Sequence, residues 1–290
     1  IERVWEAGFP DSRGTQPANI ELIKRMRHFL HCCPLLMCLG PILMGAEPGT
    51  LVIVGGGGMP ETVRKHFVEL AGGKKARIAV LPQASSRPNR GEASVEVYSK
   101  LGAGEVYSVS LDDPKKARTL INKATAIWFP GGSQAQLYQE LDKAGLVDFI
   151  RGRHRAGVPC AGTSAGAAIM SEVMIPNAPE KPGLIKGNTP IARGLGLAPQ
   201  LIIDQHFVAR HRMDRLMSAV LDHPDRIGVG IGEATAIVVR DGKFTVMGKS
   251  SVTVIDARKA TIPKGKPRSL QSGFGVALHV FKAGQTFQFK

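Results

Sequence analysis

Between residues 50 and 175, short apolar runs alternate with longer amphipathic stretches. The run "TLVIVGGGG" ends in four glycines, and "PETVRKHFVELAGG" then reads as a helix with Pro60 in its first turn and a glycine stop. The alternation continues through "ARIAVLPQAS", "GEVYSVSL", "TAIWFPGG" and "VPCAGTS" as strands. "RGEASVEVYSKLGA", "DPKKARTLINKA" and "SQAQLYQELDKAG" are the intervening helices; Asp113 is a candidate N-cap, and "LVDFIRGRHRAG" prolongs the last of them. "SAGAAIMSEVM" predicts a further helix. Apolar strands separated by helices of roughly 10–15 residues predict a parallel sheet covered on both faces.

The pattern changes after "APQLIIDQHFVAR", a strand, and "RHRMDRLMSAVLDHP", a helix. In "GVGIGEATAIVVRDGKFTVMGKSSVTVIDA" strand follows strand through tight turns, and "RDGKF" is a hairpin signal. "ATIPKGKPRSLQSG" reads as loop and "GVALHVFKAGQTFQFK" as more β-structure. The expected fold is α/β: one mainly parallel sheet flanked by helices, with β-hairpins toward the C-terminus.

The N-terminal 46 residues stand apart. From Met26 a short positive start (Arg27), an apolar run from about Phe29 to Met44 and the small pair Gly45-Ala46 follow signal-peptide grammar, with cleavage expected near Ala46. Residues 1–25 are expected to be an upstream extension, 26–46 a signal peptide, and 47–290 a single domain. The chain would then be exported to the periplasm or outside the cell, with no stable membrane span after cleavage. Cys32, Cys33 and Cys38 lie in the apolar run, which leaves Cys160 alone in the rest and without an internal disulfide partner.

Charge narrows the function classes. The 290 residues carry a formal net charge of +14, and the excess lies in residues 47–290. Such a field favours anionic partners. No zinc-finger spacing and no basic region joined to heptads accompanies it, so a nucleic-acid partner is not expected.

Ligands of open α/β sheets sit beyond the carboxyl ends of the strands, and the chemically loaded residues fall there. "GTSAG" fits the G-x-S-x-G elbow, with Ser164 as nucleophile and the backbone N–H of Ala165 as an oxyanion donor. Gly131 or Gly132 is the candidate second donor, since a missing Cβ permits close approach to a reacting carbonyl. Among the histidines beyond residue 46, His206 lies at a strand end in the polar cluster "DQH" and is the candidate base; His154 is expected on a charged helix surface. Glu233 interrupts an apolar, Gly-rich stretch and is the first candidate to orient that base, with Asp204 second. The order Ser–His–Glu differs from the Ser–acid–His order of α/β-hydrolases. Phosphate binding at "VGGGGMPE" lacks the G-K-[ST] ending and is not expected.

"GTSAGAAIMSEVMI", "GLGLAPQLIIDQHFVARHRMDRLMSAV" and "GVGIGEATAIVV" together resemble successive blocks of the cyanophycinases, in the S51 serine peptidase family that also contains peptidase E. The similarity runs from about Gly49 to the C-terminus. It implies a fold related to class I glutamine amidotransferases (flavodoxin-like), with Ser164, His206 and Glu233 as nucleophile, base and acid. It also implies hydrolysis of β-aspartyl bonds, no cofactor, no metal and a homodimer. Gln134, Asp204 and Gln205 match pocket positions of the family. Arg210, Arg212 and Arg215 match as well, and their guanidinium forks suit the carboxylates of an acidic or β-aspartyl peptide or polymer. Two departures stand out: "GGSQ" replaces the family's "GGDQ" or "GGNQ", and "GEATA" replaces "DEDTA" around the acid.

Overall fold

Strand β1 (Leu51–Val54) is wholly buried and organises the fold. In the computed structural model, residues 47–181 and 183–289 are described. The expected upstream extension and signal peptide, with Cys32, Cys33 and Cys38, lie outside the described residues. β1 pairs in parallel with β5 (Cys160–Thr163) and antiparallel with β10 (Thr235–Arg240). β4 (Ala126–Phe129), β2 (Arg77–Val80) and β3 (Glu105–Ser108) extend the parallel side. β11 (Lys243–Gly248) and β14 (Thr286–Gln288) extend the antiparallel side, giving eight strands in the order β14-β11-β10-β1-β5-β4-β2-β3. The mainly parallel, helix-flanked α/β sheet read from the hydrophobic pattern is therefore present.

Alternation along β1 shows why the run carries no polar position. Val52 and Val54 pack with Val63 and Phe67 of α1 (Glu61–Leu70) and Tyr98 of α2 (Glu92–Lys100). Leu51 and Ile53 face the opposite core, with Ile121 of α3 (Pro114–Lys123), Leu137 of α4 (Gln134–Lys143) and Ile150 of α5 (Val147–Arg155). Both faces lose water, so both need apolar side chains. Asp113 caps α3 as expected, accepting from the N–H groups of Lys115 and Lys116 at 3.0 Å each. Asp241 and Gly242 close the β10–β11 hairpin at φ 52° and 72°, the left-handed pair that a two-residue turn uses.

Two expectations are corrected. The stretch from Ser164 to Met174 is not one helix: α6 spans only Ala165–Ala168, and β6 (Val173–Met174) follows, paired with β7 (Ala192–Arg193). The carbonyls that would continue the helix are taken from outside. Ile169 O accepts from Leu195 N, Met170 O from Ala198 N and Ser171 O from Gly196 N. The second correction concerns sheet number. β8 (Leu201–Asp204), β9 (Ile227–Ile231), β12 (Val252–Asp256) and β13 (Ala277–Phe281) form a separate sheet in the order β13-β12-β9-β8. Helix α7 (Met213–Asp222) covers it through Leu216, Ala219 and Val220. The chain passes from this sheet into the large one between β9 and β10.

Gly230 of β9 lies against Phe207, the residue after His206. A Cβ on Gly230 would stand 2.4 Å from the Phe207 ring, and such overpacking costs about 1–3 kcal/mol. Gly230→Ala is expected to lower the unfolding free energy measured in urea by that amount and to shift the His206 ring resonances in NMR spectra. Unchanged values for both would show that this contact relaxes freely.

Candidate active site

Three chain segments meet above the ends of β1, β5, β8 and β9. Ser164 follows β5 directly and opens onto α6 at φ 54°, ψ −112°. Its N–H donates to Val54 O at 3.0 Å. The elbow fits only because Gly166 has no side chain: a Cβ there would lie 1.9 Å from Phe129 O on β4. Ser164 Oγ stands 2.9 Å from His206 Nε2, and His206 Nδ1 stands 2.5 Å from Glu233 Oε1. An ionised carboxylate only accepts, so Nδ1 carries the proton of the neutral ring and Nε2 is left to accept from the serine hydroxyl. Glu233, not Asp204, is therefore the partner of His206, which decides between the two candidates.

The four-glycine run holds this arrangement. Gly55 O accepts from His206 N at 2.7 Å, Gly55 N donates to Thr235 O at 2.9 Å, and Gly56 O accepts from Ala234 N at 2.8 Å. A Cβ on Gly56 would sit 2.4 Å from His206 Cε1, and one on Gly57 would sit 2.4 Å from the Glu233 Cβ. The loop lies directly on the imidazole–carboxylate pair, and any side chain would push that pair apart. Ser164, His206 and Ala234 each take a positive φ, at 54°, 49° and 52°. Non-glycine residues held this way cost about 1–3 kcal/mol each and concentrate at functional sites.

The proposed oxyanion donors separate. Gly131 is beside the nucleophile: its Cβ position lies 3.5 Å from Ser164 Cβ and 3.9 Å from Oγ. Gly132 instead lies on Ala84, with its Cβ position 2.1 Å from Ala84 O. Ala165 opens α6, and a first-turn N–H has no carbonyl partner within its own helix. Ser133, where the family has Asp or Asn, still caps α4 by accepting from Gln136 N at 3.3 Å. The "GGSQ" departure thus retains the local structural role, because Ser, Asp and Asn are all capping residues.

The expected substrate-binding residues are largely tied to one another. Asp204 is 1% exposed. Its Oδ2 accepts from Arg215 Nε at 2.7 Å, a second Arg215 nitrogen bonds its Oδ1, and Arg212 approaches Oδ1 at 3.3 Å. Arg212 also donates to Gln205 O at 2.6 Å. Burial, and then the neighbouring Arg215, hold the Arg212 pKa below its ordinary value. Gln134 is buried and donates to Ile175 O at 2.9 Å, whereas the Gln205 side-chain oxygen is buried without a hydrogen-bond partner among the described residues. Arg210, Arg212 and Arg215 line a cavity of about 390 Å³ together with His211.

A different cavity, of about 450 Å³, holds Ser164 and His206. Its further lining includes Arg64, Ser94, Tyr98 and Trp128. No sequence motif marked these four. They come from α1, α2 and β4, and only packing brings them to the serine. Cys160, also on β5, is fully buried, which pushes its thiol up to about 12. His154, expected on a charged helix surface, is buried instead, with Nδ1 3.4 Å from Val158 O. Among the described residues, no three His, Cys, Asp or Glu side chains converge as metal ligands.

Residues 51–247 match Peptidase family S51. The chain belongs to that family. A cyanophycinase of Trichormus variabilis is 34% identical over 262 residues, covering 82% of this chain and 85% of the relative. A cyanophycinase of Synechococcus elongatus is 31% identical over 289 residues, covering 91% and 88%. A peptidase E of Actinobacillus pleuropneumoniae serotype 7 is 28% identical over 192 residues, covering 63% and 80%. The crystal structure of a peptidase from an acI-B1 Actinobacterium superposes with a TM-score of 0.60 at 23% identity, over 84% of this chain and 98% of that one. The protein is thus an S51 serine-type peptidase.

The Asp204–Arg215 pair of this S51 chain tests its own energetics. Removing one partner of a buried ion pair leaves the other charge uncompensated, which costs roughly 3–5 kcal/mol. Arg215→Met is expected to lose that much stability in denaturant titrations. The double variant Asp204→Asn, Arg215→Met is expected to regain part of it; equal stability of single variant and parent would remove the pair as a structural anchor.

Proposed function

We propose that this S51 peptidase is cyanophycinase-like. It cleaves cyanophycin, an aspartate polymer bearing arginines, to β-Asp-Arg dipeptides through an acyl-enzyme on Ser164. The observation that carries the proposal is the continuous Ser164–His206–Glu233 relay, at 2.9 and 2.5 Å, beside a cavity that contains the serine. Similarity to proteins named cyanophycinase over more than four fifths of the chain supports the choice of polymer.

As Ser164 Oγ bonds to the scissile carbonyl carbon, its proton passes to His206 Nε2. Glu233 compensates the imidazolium that forms. The carbonyl oxygen gains the negative charge, and the Ala165 and Gly131 N–H groups are the donors assigned to it. Collapse breaks the C–N bond, and the Nε2 proton goes to the leaving amine. Water then repeats the addition with His206 as base, releasing the acid product and restoring Ser164.

The test is incubation with purified cyanophycin and with β-aspartyl and α-aspartyl dipeptides, with products identified by mass. β-Asp-Arg release is expected from cyanophycin. Ser164→Ala is expected to lower kcat by about 10⁴-fold or more, and Glu233→Gln by about 10³- to 10⁴-fold through the wrong imidazole tautomer. Near-parental turnover by Ser164→Ala would sink the mechanism. Cleavage confined to free dipeptides would move the assignment to a peptidase E-like activity.

A further inference from the structure

The cavity containing Ser164 and His206 has one side chain of fixed charge among the described residues that line it, Arg64. Arg64 lies on α1, half-buried. Among the described residues no carboxylate lies within ion-pair distance of it. The nearby Glu61 is paired with Lys65 instead, at 2.7 Å. The arginines picked from the sequence do not supply this charge, because Arg210, Arg212 and Arg215 line another cavity and two of them bond Asp204.

A second, independent feature lies on the same wall. Tyr98 is 1% exposed, and its hydroxyl has no hydrogen-bond partner among the described residues. Its ring is fixed edge-on against Trp128 at 5.2 Å and against Phe67 at 5.5 Å. Burial raises its pKa well above the ordinary value, with Arg64 opposing, so the hydroxyl remains a neutral donor. A buried, unpaired hydroxyl is costly and calls for a partner. Trp128 Nε1, by contrast, is satisfied by Ser94 Oγ at 3.0 Å. A guanidinium without a counter-ion and a phenol without an acceptor therefore line the cavity beside the nucleophile. A carboxylate that displaces the side chains covering the Tyr98 hydroxyl satisfies both: it accepts a forked pair from arginine and a further O–H donor, while Met59, Val97 and Trp128 offer apolar wall to the carbon chain.

From this juxtaposition we infer that Arg64 and Tyr98 form a carboxylate-binding subsite that determines which peptides reach Ser164. In an arginine-bearing aspartate polymer the arginine is joined through its α-amino group, so its own carboxylate is free and is the group this subsite takes. The inference rests on the proposed function for the identity of that ligand, and binding is measured apart from turnover.

The full-length Ser164→Ala protein, which holds ligand without cleaving it, is titrated calorimetrically with β-Asp-Arg and with the same dipeptide amidated at the arginine carboxyl. Tighter binding of the acid, by roughly tenfold or more, is expected. In Ser164→Ala, Arg64→Met the preference is expected to vanish, with both forms bound like the amide. Arg64→Lys on the same background keeps the charge but loses the fork, and an intermediate preference is expected. Tyr98→Phe is expected to weaken the acid selectively. Equal affinity of the Ser164→Ala protein for acid and amide, or a preference unchanged by Arg64→Met or Arg64→Lys, overturns the subsite. An Arg64-dependent preference in a protein whose parent releases no β-Asp-Arg from cyanophycin would sink the proposed function and leave the subsite standing.

Discussion

At the end of β1 the backbone of Gly55 and Gly56 bonds to His206, Ala234 and Thr235, while Val54 bonds to Ser164. These few main-chain contacts fix the nucleophile, the base and the acid relative to one another, while Ile203, Val229 and Val254 of the second sheet share one apolar core with Leu51 and Ile53 of the first. Each group comes from a different connection: Ser164 from the β5–α6 elbow, His206 from the end of β8, and Glu233 from the crossing between sheets. A relay with donor–acceptor distances of 2.9 and 2.5 Å tolerates little relative movement. Backbone bonds are well suited to hold it, because they do not depend on rotamers. The absence of Cβ atoms at Gly56 and Gly57 is the corresponding steric condition, since the loop passes over the imidazole and the carboxylate at contact distance.

The electrostatics divide into a structural part and an open part. A net charge of +14 suggests abundant cations for an acidic substrate. Arg215 and Arg212 nevertheless direct donors at Asp204, which is almost wholly buried and would be costly without them. That cluster lies one residue from Gln205 and two from His206, so it braces the base from its own strand. Arg64 is half-buried at the serine cavity, with no carboxylate in pairing distance among the described residues. Spacing in the chain does not separate these cases, because an arginine's role depends on which acid reaches it.

Much of the architecture was legible in advance. Apolar runs without polar alternation marked the buried strands, Asp113 marked a helix start, and "RDGKF" marked a hairpin. Ser164 and His206 were legible because each stands at the end of an apolar run, where α/β sheets place their chemistry. Two features were not legible. The helix after Ser164 stops at Ala168 because the 194–198 segment captures its carbonyls, a long-range competition that helical propensity does not register. The second sheet was hidden because β8 and β9 read like any other buried strands; their partners β12 and β13 differ from those of the large sheet only in three dimensions.

The strand–helix alternation, the glycine-bracketed serine and the supply of a histidine and acids at strand ends follow from local sterics and hydrophobic pattern, and so are written in the order of residues. That Glu233 rather than Asp204 meets His206, that the four glycines serve that pair, and that Arg64 and Tyr98 share a cavity with Ser164 emerge from the folded arrangement alone. Those outcomes depend on hydrogen bonds and packing between segments dozens of residues apart, whose geometry is set by how the two sheets join and not by any one stretch of chain.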